Sequence, residues 1–103
     1  MESDEQAFLS ELADEPQLIV AAYPNPFTST TTIVFERTDK ADRAVVEIYT
    51  SLGRLVRRLF DAQIEQAVEY RVQFNAEDLP NGIYMFRVIT SDRIDEGRLI
   101  LNR

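Results

Sequence analysis

The chain has 103 residues, 45% hydrophobic and 28% charged, a net charge of −7, and neither cysteine nor histidine. This length suits one domain that buries roughly two-thirds of its unfolded surface. Lacking cysteine and histidine, it has no thiolate, no disulfide framework and no imidazole base or zinc ligand, and without a basic face it is no nucleic-acid binder.

Residues 1–16 hold six of the 18 acids and no base, while the rest of the chain sets 12 acids against 11 bases. Ser3 and Gln6 have capping-box spacing, and Phe8, Leu9 and Leu12 share one helical face. An acidic linker and a short helix ending before Pro16 both fit. Either lies outside the domain, because so charged a stretch has little to bury. No apolar run reaches the ~18 residues of a membrane span, and residues 1–20 lack the basic start of a signal peptide.

From residue 17 the texture changes to seven short strand-like runs. They are "QLIVAA" (17–22), "TTIVFE" (31–36), "AVVEIYTS" (44–51), "RLVRRLF" (54–60), "EYRVQFN" (69–75), "IYMFRVIT" (83–90) and "GRLILN" (97–102). Turn signals separate them at "TDKAD" (38–42), "SLGR" (51–54), "LPNG" (79–82) and "SDRIDEG" (91–97). Several short alternating strands at this spacing predict an all-β, antiparallel sandwich over residues 17–103. Alternation assigns Ile33, Phe35, Val46, Ile48, Tyr70, Val72, Phe74, Tyr84, Phe86 and Val88 to its core.

Between the first two runs stands Tyr23-Pro24-Asn25-Pro26-Phe27. Each proline fixes φ and lacks an N–H, and each residue before a proline is pushed out of the α region. The segment is expected to be an extended, rigid lead-in that cannot sit inside a sheet. Residues 52–67 are ambiguous. Leu52, Leu55, Val56, Leu59, Phe60, Ile64 and Ala67 fit a helical stripe, yet Gly53 costs about 1 kcal/mol in a helix interior and suits a tight turn. Turn chemistry favours a hairpin; the helix stays open.

Catalytic groups are scarce. Lys40, the only lysine, lies in a turn between acids, and three scattered glycines form no phosphate loop. The pairs Glu77–Asp78 and Asp95–Glu96 read as solvated turn charge. Oxygen ligands cluster in "SDRIDEG", but their spacing matches no calcium motif. No enzyme activity, cofactor or metal is expected. Carbohydrate binding calls for a platform of exposed flat aromatics; there is no tryptophan, and only Tyr23, Phe27, Tyr49 and Phe60 are candidates for exposure.

The ordered segments "YPNPFTSTTTIVFE", "VVEIYTSLGRLVRRL", "LPNGIYMFRV" and "EGRLILNR" resemble the type A C-terminal sorting domain of the type IX (Por) secretion system, over about residues 18–103. The resemblance implies an immunoglobulin-like sandwich and a non-catalytic address. An outer-membrane translocon reads the address, a sortase-like peptidase removes it, and the N-terminal passenger crosses from the periplasm to be released or attached at the cell surface. Pro24, Asn25 and Pro26 match the family's Pro-Asn-Pro motif, Gly53 its central hairpin, Gly82 and Tyr84 its Gly-x-Tyr motif, and Arg98 through Arg103 its basic-ended last strand. Val68 stands where such domains often have glycine, and arginine replaces lysine near the end.

Each motif also has a plain fold role. The prolines stop edge pairing, Gly82 completes the Pro80–Asn81 turn, and Tyr84 forms a tyrosine corner. A passenger cut is expected within residues 1–16 or just before Tyr23, on accessible backbone. The alternative family is the immunoglobulin-like module of flagellar hook-capping proteins, with a similar Pro-Asn-Pro-Phe opening and a structural role. A carbohydrate-binding module is the third class. The ending "RLILNR" favours sorting, because a sorting domain must end its polypeptide.

Overall fold

The computed structural model describes residues 17–103, so the linker-or-helix expectation for residues 1–16 lies outside the described residues. Seven strands follow in chain order: β1 (Leu18–Tyr23), β2 (Thr30–Arg37), β3 (Asp42–Thr50), β4 (Leu55–Ile64), β5 (Glu69–Asn75), β6 (Gly82–Ile89) and β7 (Ile94–Leu101). They form two antiparallel sheets, one ordered β1-β2-β5 and the other β4-β3-β6-β7. No helix among the described residues is long and apolar enough to cross a membrane.

Period-two patterning positions the core. In β2 the β-branched run "TTTIVF" turns Thr31, Ile33, Phe35 and Arg37 to the buried face. Across the sheets, Ile33 pairs with Val72 and Phe35 with Tyr70, while Val46 pairs with Val88 and Ile48 with Phe86. Eight of the ten expected core residues are buried; Tyr70 and Val72 are half-buried and pack against that cluster. They lie on β5, an edge strand with a hydrogen-bonded neighbour on one side only.

Residues 52–67 are a hairpin arm. Gly53, at φ +89°, donates its N–H to the Thr50 carbonyl, and the Thr50 N–H bonds the Arg54 carbonyl. Such a φ suits glycine, and the pairing of Leu55–Ile64 with β3 excludes the helical reading. The stripe that mimicked a helix has a physical origin. The β3–β4 register shifts between Val46 and Glu47 and again between Ile48 and Tyr49, so Leu59 and Val56 are extra residues on β4. Each bulge resets the alternation and leaves apolar residues at mixed spacings. β7 also departs from expectation. Residues 91–97 were to be a turn, but the turn closes early, with Thr90 N–H on the Arg93 carbonyl, and "IDEG" is already strand.

The lead-in corrects two expectations. Pro24–Pro26 form successive bends, with both Tyr23–Pro24 and Asn25–Pro26 cis, rather than an extended segment. Phe27, a candidate for exposure, is 2% exposed and packs 6.0 Å from the Phe74 ring. The reason is topological: after β1 pairs with β2, the chain crosses to the other sheet, where Phe27 bridges Leu101 of β7 in parallel. A strand that changes sheets passes its next side chain through the interior.

A buried cation ties the layers at one end. Arg37, 1% exposed, closes the inward face of β2. Its Nη1 and Nη2 donate to the two Asp92 oxygens at 2.7 and 3.2 Å, Nε to Asp39 at 2.6 Å, and Nη1 to Thr90 at 3.0 Å. Asp92 belongs to the loop before β7, so the fork staples the three-stranded sheet to the four-stranded one. No buried side-chain N or O among the described residues lacks a partner.

Candidate functional site

The motif residues come together at two joints on β7 and the loop beside it. At the first, the Asn25 side chain behaves like a peptide unit of a neighbouring strand. Its Nδ2 donates to the Arg98 carbonyl at 2.7 Å, and its Oδ1 accepts the Ile100 N–H at 2.9 Å. The main chain then takes over: Phe27 N–H bonds the Ile100 carbonyl and Asn102 N–H bonds the Phe27 carbonyl, both at 2.9 Å. The prolines fit this switch because neither could have supplied a ladder donor. The Thr31 hydroxyl donates to the Pro24 carbonyl at 2.7 Å, fixing the bend against β2.

The second joint is loop 76–81. The Tyr84 hydroxyl donates to the Pro80 carbonyl at 2.6 Å, the geometry of a tyrosine corner. Gly82, at φ +154°, starts β6 in a conformation that L side chains rarely adopt. Arg103 closes the loop from the other side: its guanidinium donates to the carbonyls of Ala76 and Leu79, and its N–H bonds Asn81 Oδ1 at 3.0 Å. Arg103 is thus a structural clamp. Arg98 differs, with an exposed side chain and no ion-pair partner among the described residues.

The sandwich is closed on one flank and open on the other. On the β4–β5 flank, Phe60 and Tyr70 pack at 6.0 Å and Arg57 bonds the Asn75 carbonyl at 2.6 Å. On the opposite flank β1 and β7 part around a cleft of about 820 Å³, lined by residues 18–22, Asn25, Phe86 and residues 93–98. Gly97 meets the Phe86 ring at its floor; a Cβ there would lie 2.6 Å from two ring carbons.

Among the described residues, carboxylates that depart from ordinary behaviour are held in structural pairs: hydrogen bonds from Arg37 hold Asp92 and Asp39 below the usual carboxylate range. On the outer sheet face, Glu47 is held low by the Tyr49 hydroxyl at 2.7 Å and by Arg58. Among the described residues, no cluster of three acids is placed to hold a metal. Of the four candidate aromatics only Tyr23 is exposed, at 47%, and one ring makes no carbohydrate platform.

The model of the secretion system C-terminal sorting domain matches residues 21–102. The chain belongs to that family. The matched span runs from Ala21 in β1 to Asn102, so it includes the Asn25 joint and, of the second, Tyr84, Gly82 and loop 76–81 but not Arg103. The domain is therefore a sorting signal for type IX secretion, and its destination is the outer membrane, the cell surface or the medium. Among solved structures it is similar to dimeric latent PorU from Porphyromonas gingivalis, with a TM-score of 0.64 at 20% identity over 82% of this chain. That likeness supports the fold. The sorting domain spans 9% of that solved chain's length. No curated protein matches the sorting domain.

Sequence reasoning missed Arg37 and the role of Asn25. Arg37 was readable, since it continues the inward odd-numbered face of Thr31, Ile33 and Phe35. The Asn25 bonds span more than 70 residues and leave no local trace.

Proposed function

We propose that the sorting domain is a non-catalytic address, handed from the periplasm to an outer-membrane translocon as a folded surface. A passenger lies N-terminal to it and a sortase-like peptidase separates the two. One observation supports this reading above others: Asn25, between Pro24 and Pro26, is bonded to the β7 main chain at Arg98 and Ile100, and Arg103 is bonded to Asn81 beside Gly82 and Tyr84, so the motif segments meet along the last strand and the loop beside it. The bond before Tyr23 lies inside β1, where Tyr23 pairs with Thr32. This disfavours Tyr23 as an open cleavage position and leaves residues 1–16 as the place for a cut.

The test is a secreted reporter carrying the full chain at its C-terminus in a bacterium with type IX secretion. The fusion is expected at the surface or in the medium, and the reporter without the domain in the periplasm. Equal export of both would overturn the reading in favour of a structural module of the hook-capping kind.

A further inference from the structure

On its outer edge the last strand is only half covered. The outward main-chain groups of β7 can be assigned. Arg98 C=O, both groups of Ile100 and Asn102 N–H bond the 25–27 segment, so even-numbered residues turn away from β6. Alternation along an antiparallel strand then sends the N–H and C=O of Ile94 and Glu96, and the N–H of Arg98, outward as well. β7 is an edge strand, and no main-chain bond from the described residues reaches these groups.

The facing wall is also an edge. Thr38 N–H bonds the Gln17 carbonyl, so odd residues of β1 face β2, and Leu18, Val20 and Ala22 turn their main-chain groups toward the cleft side. Exposed Ile19 and Ile94 flank this opening, and Phe86 lies at its floor. Arg87 with Glu96 and Arg93 with Asp95 are ion-paired, whereas Arg98, at the end of the free stretch, has no such partner among the described residues.

We infer that the Ile94–Arg98 edge is a strand-addition site for an extended partner segment with alternating apolar residues and an acid in register with Arg98. The domain already shows that the next stretch of this edge accepts outside hydrogen bonds: Phe27 bridges Leu101 in parallel, and the Asn25 side chain bonds Arg98 and Ile100. Main-chain bonds supply affinity, and the isoleucines and Arg98 supply selectivity. This deepens the sorting reading, and rests on it, by moving the grip from the chain end, where Asn25 and Phe27 block the edge, to the strand's first half.

Two measurements test it. Glu96→Pro removes an N–H that β6 does not use, so the sandwich should keep its circular dichroism spectrum and cooperative melt. Export of the reporter fusion should fall about tenfold, as loss of one or two main-chain bonds implies, while Arg54→Glu on the far hairpin leaves it unchanged. Separately, a synthetic peptide alternating valine with aspartate, added to the parent chain, should slow amide exchange at Glu96 and Arg98; its lysine counterpart should not. A folded Glu96→Pro variant exporting like the parent sinks the edge site while leaving the sorting reading intact, since that is tested by deleting the whole domain. If Glu96→Pro does not fold, the exchange experiment decides. Absent protection, equal protection by both peptides, or protection arising from a second copy of the chain each overturns the inference.

Discussion

Asn25 and Arg98 are joined by a side-chain-to-main-chain bond of 2.7 Å across 73 residues of sequence. With the return bond from Ile100 N–H, one amide side chain stands in for a strand. It must both donate and accept, and this sets a test of chemistry rather than of size. Asn25→Asp keeps the acceptor but turns an oxygen toward the Arg98 carbonyl, so it should be no better than Asn25→Ala. Each should cost about 1–2 kcal/mol, because the bonds are exposed and partly replaced by water. Amide exchange at Ile100 reads the loss directly. An Asn25→Asp protein as stable as the parent would show that the donor half carries no weight.

Ala67 is the one described non-glycine residue with positive φ, at 58°. It turns the chain from β4 into β5, and its N–H bonds the Arg37 carbonyl at 2.7 Å. Left-handed backbone costs an L side chain roughly 1–2 kcal/mol, more than the chain entropy that glycine adds to the unfolded state. Ala67→Gly should therefore stabilise the sorting domain by several tenths to about 1 kcal/mol, read as a higher melting temperature. A lower one would mean that unfolded-state entropy dominates.

What was legible in the sequence divides along the range of the forces involved. β5 is bounded as "EYRVQFN" predicts, because alternation is local and each side chain reports its own face. The departure at Val68 left the geometry around residues 61–69 open, and the positive φ that turns β4 into β5 falls on Ala67 beside it. β4 was harder: two bulges reset its phase, and a bulge is a property of the β3–β4 pair rather than of either strand. Phe27 misled because the residues around it stiffen the chain, while its burial depends on which sheet the chain enters next. The site divides likewise. Tyr84 reaches Pro80 four residues away and was foreseen as a corner; Asn25 meets β7 only in the finished fold.

The Arg37 cluster should set the acid limb of stability. Hydrogen bonds from Arg37 keep Asp92 and Asp39 below the ordinary carboxylate range. At Asp42 burial pushes upward, but bonds from the main-chain N–H groups of Arg43 and Ser91 and from the Ser91 hydroxyl outweigh it. Carboxylates depressed in the folded state bind protons more weakly than in the unfolded chain. Their contribution is present above the unfolded value and lost as pH falls through the folded one. Urea midpoints should hold from neutrality to about pH 4 and then drop. In Arg37→Met the carboxylates lose their common partner, so the drop should be shallower. A parallel drop would assign the acid limb to other groups, Glu47 first among them.

Arg98 and Arg103 are both cations of the last six residues, yet the fold uses them differently, and that difference separates stability from sorting. Arg103 donates to two loop carbonyls and shares a two-way clasp with Asn81, whose Nδ2 donates to the Arg103 carbonyl at 3.4 Å. Truncating it to alanine leaves those carbonyls to water and should cost about 1–2 kcal/mol, a fall of several degrees in melting temperature for a domain of this size. Arg98 has no side-chain partner among the described residues, and its carbonyl, the part that holds Asn25, survives substitution. Arg98→Glu should therefore change stability by no more than about 0.5 kcal/mol. Export of a reporter fusion is expected to respond in the opposite order. It should drop for the stable Arg98→Glu protein, and for Arg103→Ala only as far as the folded fraction drops. If Arg98→Glu is stable and exported normally, the exposed cation is no part of the address. If it is as unstable as Arg103→Ala, Arg98 belongs to the fold, and its matching of the family motif has a structural cause.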